Sequence, residues 1–331
     1  RKHYLPISNT FIYEQISNMT EYCPHVFYRQ LHDESTLFPF SNLYPYRDIE
    51  TTIQHFHKHN IRLIYARFGP GGVEMLPLKQ ETNLPMLTSF HGFDVSRELV
   101  KTRNYAERLQ DLFLKGDMFT VVCEHMRNRL INLGCPDHKI VVLKSGIDLG
   151  KFPFHSKVSA NKDEIRLLSV GRLTEKKGMN ILIQGFAQIA KKYPKSKLTI
   201  IGEGEERENL ESLIEKLHLH GRVKLKGKMS HPEVREQLMN CDLFCIASLT
   251  ASDGDEEGIP NVIMEALATG RVVVSTAHVG IPELIRHGET GYLVPEKDVR
   301  ALSAMLIYAI EHQSEWSQLV ENGRRKVEQE H

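Results

Sequence analysis

The sequence has no surplus of charge: Lys plus Arg (42) equals Asp plus Glu (42), and a division at residue 155 leaves each half within two charges of neutral. That balance offers no basic half to bind nucleic acid. Long apolar runs are also lacking, and none approaches the ~20 residues that a transmembrane helix needs. Five cysteines, at 23, 123, 135, 241 and 245, include no Cys-x-x-Cys pair. Their odd number argues against a disulfide framework, so a reducing cytoplasm is expected. Cys241 and Cys245 fall across a helix-to-strand junction and read as small core residues. No secretory leader opens the sequence, which starts at Arg1 without Met, so its natural first residues are expected to be missing. A local cluster, Arg97, Lys101, Arg103 and Arg108, reads either as the wet face of a helix or as a contact with a membrane surface.

What is present is ordinary for a globular protein: 41% hydrophobic and 25% charged residues over a length that suits two domains. Apolar, largely β-branched runs of strand length occur at 61–68, 85–90, 119–123 and 140–143. A second series follows at 165–170, 197–201, 223–225, 243–247, 272–275 and 292–294. Continuous rather than alternating apolar character predicts parallel strands buried on both faces. Amphipathic stretches at 179–192, 205–217 and 232–239 lie between them, so the pattern is β-α repeated. The series breaks at 150–163, read as a linker. The expected fold class is α/β with two Rossmann-like, doubly wound parallel-sheet domains, residues 1–155 and 156–331. Ligands of such folds bind at the carboxyl ends of the strands, here in a cleft between the domains.

Two segments carry chemistry. Gly171-Arg172-Leu173-Thr174-Glu175-Lys176-Lys177-Gly178 leaves a strand and enters a helix, and Arg172 with Lys177 can grip a diphosphate. The competing reading is a surface loop that happens to hold cations. In Glu257-Gly258-Ile259-Pro260-Asn261-Val262-Ile263-Met264-Glu265, a loop enters a helix near Pro260, leaving the amides of Asn261 and Val262 free for a phosphate. Glu257 and Glu265 can accept hydrogen bonds from sugar hydroxyls. Glu257 is alternatively a helix-start carboxylate. Glu265, on an otherwise apolar helix, needs a partner or a ligand. His91 and Asp94 follow a strand end, where a histidine suggests function more than one on a helix does. By contrast His55, His57 and His59 lie two apart on different helix faces, so no shared metal site is expected.

Gly-Arg-Leu-x-x-x-Lys-Gly followed about eighty residues later by Glu-x7-Glu resembles the retaining glycosyltransferases of family 4, which have the GT-B fold. The run Gly-Asp-Glu-Glu-Gly-Ile-Pro-Asn-Val-Ile-Met-Glu-Ala is similar to a subgroup from bacterial exopolysaccharide and colanic-acid-type clusters. The resemblance implies that Gly171, Arg172 and Lys177 meet the donor diphosphate. It implies that Glu257 holds the donor sugar, that the backbone of Gly258, Ile259, Pro260, Asn261 and Val262 follows it, and that Glu265 holds the ribose. Gly227, Lys228 and Met229 match the strand end that meets the nucleobase, and His91 matches a histidine over the donor sugar. Ser8, Asn9, Thr10 and Asp94 fall on the acceptor side, although Asn9 stands where the subgroup has an acid and the usual glycine-rich first loop is absent. The first strand and the last crossing helix are expected to be missing from this chain. The acidic run Asp253, Asp255, Glu256 and Glu257 could bind a divalent cation, but Arg and Lys neutralise the diphosphate in this family, so neither metal nor other cofactor is expected.

The implied function is hexosyl transfer with retention from a nucleoside-diphosphate sugar to a hydroxyl acceptor, in exopolysaccharide or other cell-surface glycan synthesis. A lipid-linked oligosaccharide at the inner membrane face is the acceptor that the subgroup suggests, with peripheral membrane contact and no nucleic-acid partner. The alternatives are a non-catalytic nucleotide-sugar-binding subunit, a sugar-nucleotide epimerase or a phosphorylase. No motif for a pyridoxal-phosphate lysine supports the last.

Overall fold

The computed structural model describes residues 3–4, 10–31, 33–156 and 160–331. They form two compact units: the first holds the described residues up to Val121 together with 127–145, and the second holds 122–126 and 146–331. The first contains, in order, β1 (His3–Tyr4), α1 (Thr10–Ser17), β2 (Val26–Tyr28), β3 (Gln30–Leu31), β4 (Leu43–Pro45), α2 (Ile49–Lys58), β5 (Ile64–Arg67), α3 (Gly69–Thr82), β6 (Met86–Phe90), α4 (Arg97–Lys101), α5 (Tyr105–Lys115), β7 (Met118–Val121) and β8 (Ile140–Val142). Helix α6 (Glu124–Asn132) begins in the second unit and ends in the first. Strands β5 to β8 pair side by side in parallel, while β1 with β3 and β2 with β4 form two small parallel pairs of their own.

Aromatic packing fills this core, with Phe90, Phe113 and Phe119 meeting at ring-centroid distances of 5.5–6.3 Å. Helix α3 lies close on the sheet because Gly72 faces it: a Cβ there would sit 2.6 Å from Thr88 and 2.8 Å from Leu112. The helix is entered through Phe68 at φ 66°, a left-handed backbone that a bulky residue rarely adopts.

The second unit contains β9 (Arg166–Val170), α7 (Met179–Lys192), β10 (Lys197–Ile201), α8 (Arg207–Lys216), β11 (Val223–Leu225), α9 (His231–Asn240), β12 (Leu243–Ile246), α10 (Asn261–Ala268), β13 (Val272–Thr276), α11 (Ile281–Leu284), β14 (Tyr292–Val294), α12 (Val299–Glu311) and α13 (Trp316–Glu330). Its strands form one parallel sheet in the order β11-β10-β9-β12-β13-β14. Successive side chains of a strand point to opposite faces. Leu167, Leu243, Cys245, Val272 and Val274 accordingly enter the core shared with α7 and α12, while Leu168, Phe244, Ile246 and Val273 enter the one shared with α9, α10 and α13. Both faces are covered, which is why these strands read as continuous apolar runs. Phe152, inside the stretch read as a linker, is buried in the second of these cores, and its carbonyl accepts from Arg324 Nη1 at 2.8 Å.

Candidate active site

In the second unit the chain lays down β9, β10 and β11 in one direction from β9, then returns to the other side with β12, β13 and β14. The sheet therefore has its switch point between β9 and β12, the place where folds of this kind bind ligands at the carboxyl ends of the strands. The loop after β9 is 171–178, and the loop after β12 is 247–260, so both chemistry-bearing segments arrive at this one place. They meet backbone to backbone: Leu249 N donates to Lys176 O at 2.9 Å. Gly178 (φ 61°) has no room for a Cβ, which would stand 1.8 Å from Ala247 O. Glycine recurs along the same edge. Gly202 (φ 144°) bonds Gly227 O at 2.9 Å, and a Cβ on it would lie 1.9 Å from Gly171 O.

Lys176 and Lys177 are buried, which removes the reading of this segment as a surface cation loop. Between them stands Glu257, with Lys177 Nζ 3.1 Å from Oε2 and Lys176 Nζ 3.3 Å from Oε1. Lys176 also reaches Asp255 at 3.0 Å. Burial alone would raise the Glu257 pKa, but Lys177 and Lys176, helped by Arg172, outweigh it and bring the carboxyl down to about 2. Burial pulls Lys177 below its ordinary value despite the attraction of Glu257. Oε1 of Glu257 is buried and receives no hydrogen bond among the described residues. The Lys176 ammonium compensates its charge, and the hydrogen bond it lacks is one that a hydroxyl donor can supply.

Around this pair lie the other expected residues. Arg172 is exposed, and its guanidinium has no hydrogen-bond or ion-pair partner among the described residues. Pro260 is the N-cap of α10, and the amides of Asn261 and Val262 open the helix with no carbonyl one turn back to bond. Glu265, 7% exposed, has no partner for its carboxyl among the described residues, and burial pushes its pKa up to about 7 against a small pull from Arg235. Gly258 and Ile259 pack at the start of the helix, and Gly227, Lys228 and Met229 leave the end of β11.

His91 and Asp94 belong to the first unit. Asp94 is fully buried, and its carboxylate accepts from the amides of His91 (3.0 Å), Gly92 (2.9 Å) and Gly69 (3.1 Å). Burial nevertheless raises its pKa to about 6. An acid spent on three amides shapes the turn after β6 and presents no surface to an acceptor. His91 is half-buried, with Nε2 3.1 Å from Ser89 Oγ and its ring against Phe11 and Phe68 at 5.4 and 5.0 Å. Ser8 and Asn9 lie outside the described residues, and Thr10 begins α1.

Sequence reasoning missed a support beneath Glu257. The Glu257 amide donates to Nε2 of the fully buried His278 at 3.2 Å, so the ring proton is on Nδ1, which donates to Glu296 at 2.6 Å. Glu296 also accepts from the Thr250 amide at 2.8 Å, tying both ends of the loop after β12 to one carboxylate. The signal was faint, since a single histidine and a distant glutamate share no motif. A second miss concerns the histidines of α2. His57 stands apart as expected, but His55 and His59 are four residues apart, hence on one face, and His25 joins them: one ligand atom of each lies within 4.8 Å of the others. The expectation compared spacings of two and overlooked the spacing of four. Among the described residues no helix is long and apolar enough to cross a membrane.

Comparison with known proteins agrees with this geometry. A family model described as "Glycosyl transferases group 1" matches residues 151–326, and one described as "Glycosyltransferase Family 4" matches 13–151. WcaL of Salmonella typhimurium, named for colanic acid biosynthesis, is 38% identical over 269 residues, 80% of this chain and 66% of that protein. The amylovoran biosynthesis glycosyltransferase AmsK of Erwinia amylovora is 38% identical over 244 residues, 74% of this chain and 60% of that protein. The matches thus span less than two thirds of these relatives. Anabaena HepE, solved in complex with UDP, superposes with a TM-score of 0.83 at 20% identity over 98% of this chain and 92% of that one. That likeness concerns the fold, which is of the expected GT-B class with two parallel-sheet α/β domains.

Proposed function

This chain belongs to the glycosyl transferases group 1 family, and on that premise we propose that it transfers a hexosyl group, with retention and without metal, from a nucleoside-diphosphate sugar to a hydroxyl acceptor. The observation that carries the proposal is Glu257: a buried carboxylate, held ionised by Lys176 and Lys177, with one oxygen that is ion-paired to Lys176 but receives no hydrogen bond. Such an oxygen, beside an unpaired arginine and an open helix start, suits a polyhydroxylated anion.

In this reading the sugar hydroxyls bond Glu257, and the diphosphate takes Arg172, the amides of Asn261 and Val262, and Lys177. Lys176, anchored by Asp255, keeps Glu257 charged while Lys177 turns to phosphate. Glu265 takes the ribose, and the backbone of Gly227, Lys228 and Met229 takes the base. The bond from the anomeric carbon to the β-phosphate oxygen breaks, the acceptor oxygen bonds that carbon on the same face, and its proton passes to the departing phosphate. Fixed cations lower the barrier by meeting charge as it develops on the leaving group. His91 is assigned to the donor sugar and Asp94 to positioning His91. The similarity to WcaL and AmsK supports a role in exopolysaccharide synthesis; the acceptor assigned in this reading is a lipid-linked saccharide, and the exposed Arg103, Arg108 and Val100 are available for peripheral membrane contact.

The test is turnover with the wild-type chain and Glu257→Gln, following released nucleotide and reading the anomeric configuration of the product by NMR. The expected loss is at least ~100-fold in kcat/KM, the scale of one preorganised polar group. Full activity in the variant overturns the site, an inverted product overturns retention, and tight donor binding without turnover favours a binding subunit.

A further inference from the structure

A cluster in the first unit, unrelated to the residues assigned above, has the chemistry of a metal site. Helix α2 starts at the N-cap Asp48, whose side chain accepts from the Thr51 amide at 2.7 Å, and it ends on His59 as C-cap. His55 and His59 therefore occupy successive positions on one face at the end of the helix, with ring centroids 4.3 Å apart. His25 immediately precedes β2, and its Nδ1 lies 2.8 Å from His55 Nε2. Tyr44, brought alongside by the pairing of β2 with β4, stacks on His25 at 5.4 Å and sets its edge against His55 at 4.3 Å. Phe27 closes the other side of His55 at 5.1 Å.

We propose that His25, His55 and His59 form a binding site for a divalent transition-metal ion of the zinc class, with the fourth position open to water. Three imidazole nitrogens around a tetrahedral ion at ~2.0–2.1 Å stand roughly 3.3 Å from one another. The observed spread, from the 2.8 Å of the closest pair up to 4.8 Å, reaches that geometry through small side-chain rotations. Nitrogen-only ligation favours Zn²⁺, Cu²⁺ or Ni²⁺ and disfavours Ca²⁺ and Mg²⁺, which take oxygen. An imidazole pair that merely packs against Tyr44 explains His25 and His55 but gives no reason for exposed His59 to turn to them. A bound ion would pin the end of α2 to the β2–β4 pair, so its effect is on the stability of this unit and not on sugar transfer.

The experiment is titration of the tag-free, chelator-treated chain with ZnCl2, by calorimetry and by thermal unfolding, with Co²⁺ absorption to read the ligand field. The expected result is one equivalent bound, a higher Tm, and tetrahedral Co²⁺ bands. His25→Ala and His59→Ala should each weaken binding by more than about 100-fold, beyond the ~10–100-fold typical of groups that only support a ligand. His57→Ala, on the same helix, should bind as wild type. Circular dichroism in EDTA distinguishes loss of the site from loss of fold, and His25→Asn serves if His25→Ala does not fold. Binding that survives in both ligand variants, or no stoichiometric binding by the wild type, overturns the site.

Discussion

Glu265 shows how one residue can set function against stability. It is buried on an apolar helix without a partner for its carboxyl among the described residues, and its pKa rises from 4.5 to about 7 because burial disfavours the charge. The folded state thus holds this proton more tightly than the unfolded chain does. Its contribution to stability is complete below about pH 4.5 and is lost as pH rises through about 7. Glu265→Gln, which cannot ionise, should match wild type at low pH and exceed it at pH 8 by about 1–3 kcal/mol, the order set by a shift of this size. Urea unfolding of both proteins at pH 5 and pH 8 checks this; equal stability at both pH values would show that the carboxyl is not desolvated. The same variant should bind donor poorly, since an amide replaces the carboxylate proposed to hold the ribose. Glu257 is the opposite case, with a low pKa set by two lysines, and stays ionised throughout the neutral range.

The strand ends of the second unit are held by glycines that cannot be exchanged. Gly202→Ala would drive a Cβ to 1.9 Å from Gly171 O at a φ of 144°, whereas Gly71→Ala in the first turn of α3 meets nothing within 4 Å. The first should lower stability by several kcal/mol through clash and backbone strain. The second should be neutral or stabilise by up to ~1 kcal/mol. Thermal melts of both variants decide the matter, and equal effects would mean that the close approach at Gly202 is not maintained. His278 acts at the same level, through the loop that carries Glu257. His278→Ala should lower kcat at least about 10-fold with a smaller effect on KM, as expected for misplacement of a group acting on the transition state. An unchanged kcat would show that the loop needs no such support.

Much at this level was legible in advance. Residues 197–201, 223–225, 292–294 and 179–192 were bounded as β10, β11, β14 and α7 are observed, because buried parallel strands and an amphipathic helix leave unambiguous patterns. Helix α3 was not, since it opens with Gly69-Pro70-Gly71-Gly72 and contains Pro77, residues that read as turn. The charged motif 171–178 was legible as a cation loop, but not the burial of its lysines. That burial depends on Asp255 and Glu257 arriving from some eighty residues away, which no local pattern records.

At the scale of the whole molecule, two parallel-sheet units each place a loop histidine or glutamate at the carboxyl ends of their strands, and the second unit gathers every group assigned to the donor except His91. Nucleotide-sugar binding by residues 171–265 is therefore the claim on which everything else rests. Thermal unfolding of the full chain with UDP-, GDP- and ADP-sugars addresses it without assuming turnover. One base class should raise Tm by several degrees at ligand concentrations about 100-fold above Kd, with the shift abolished in Glu265→Ala. A Tm that no nucleotide sugar moves, or a shift that Glu265→Ala leaves intact, contradicts the assignment.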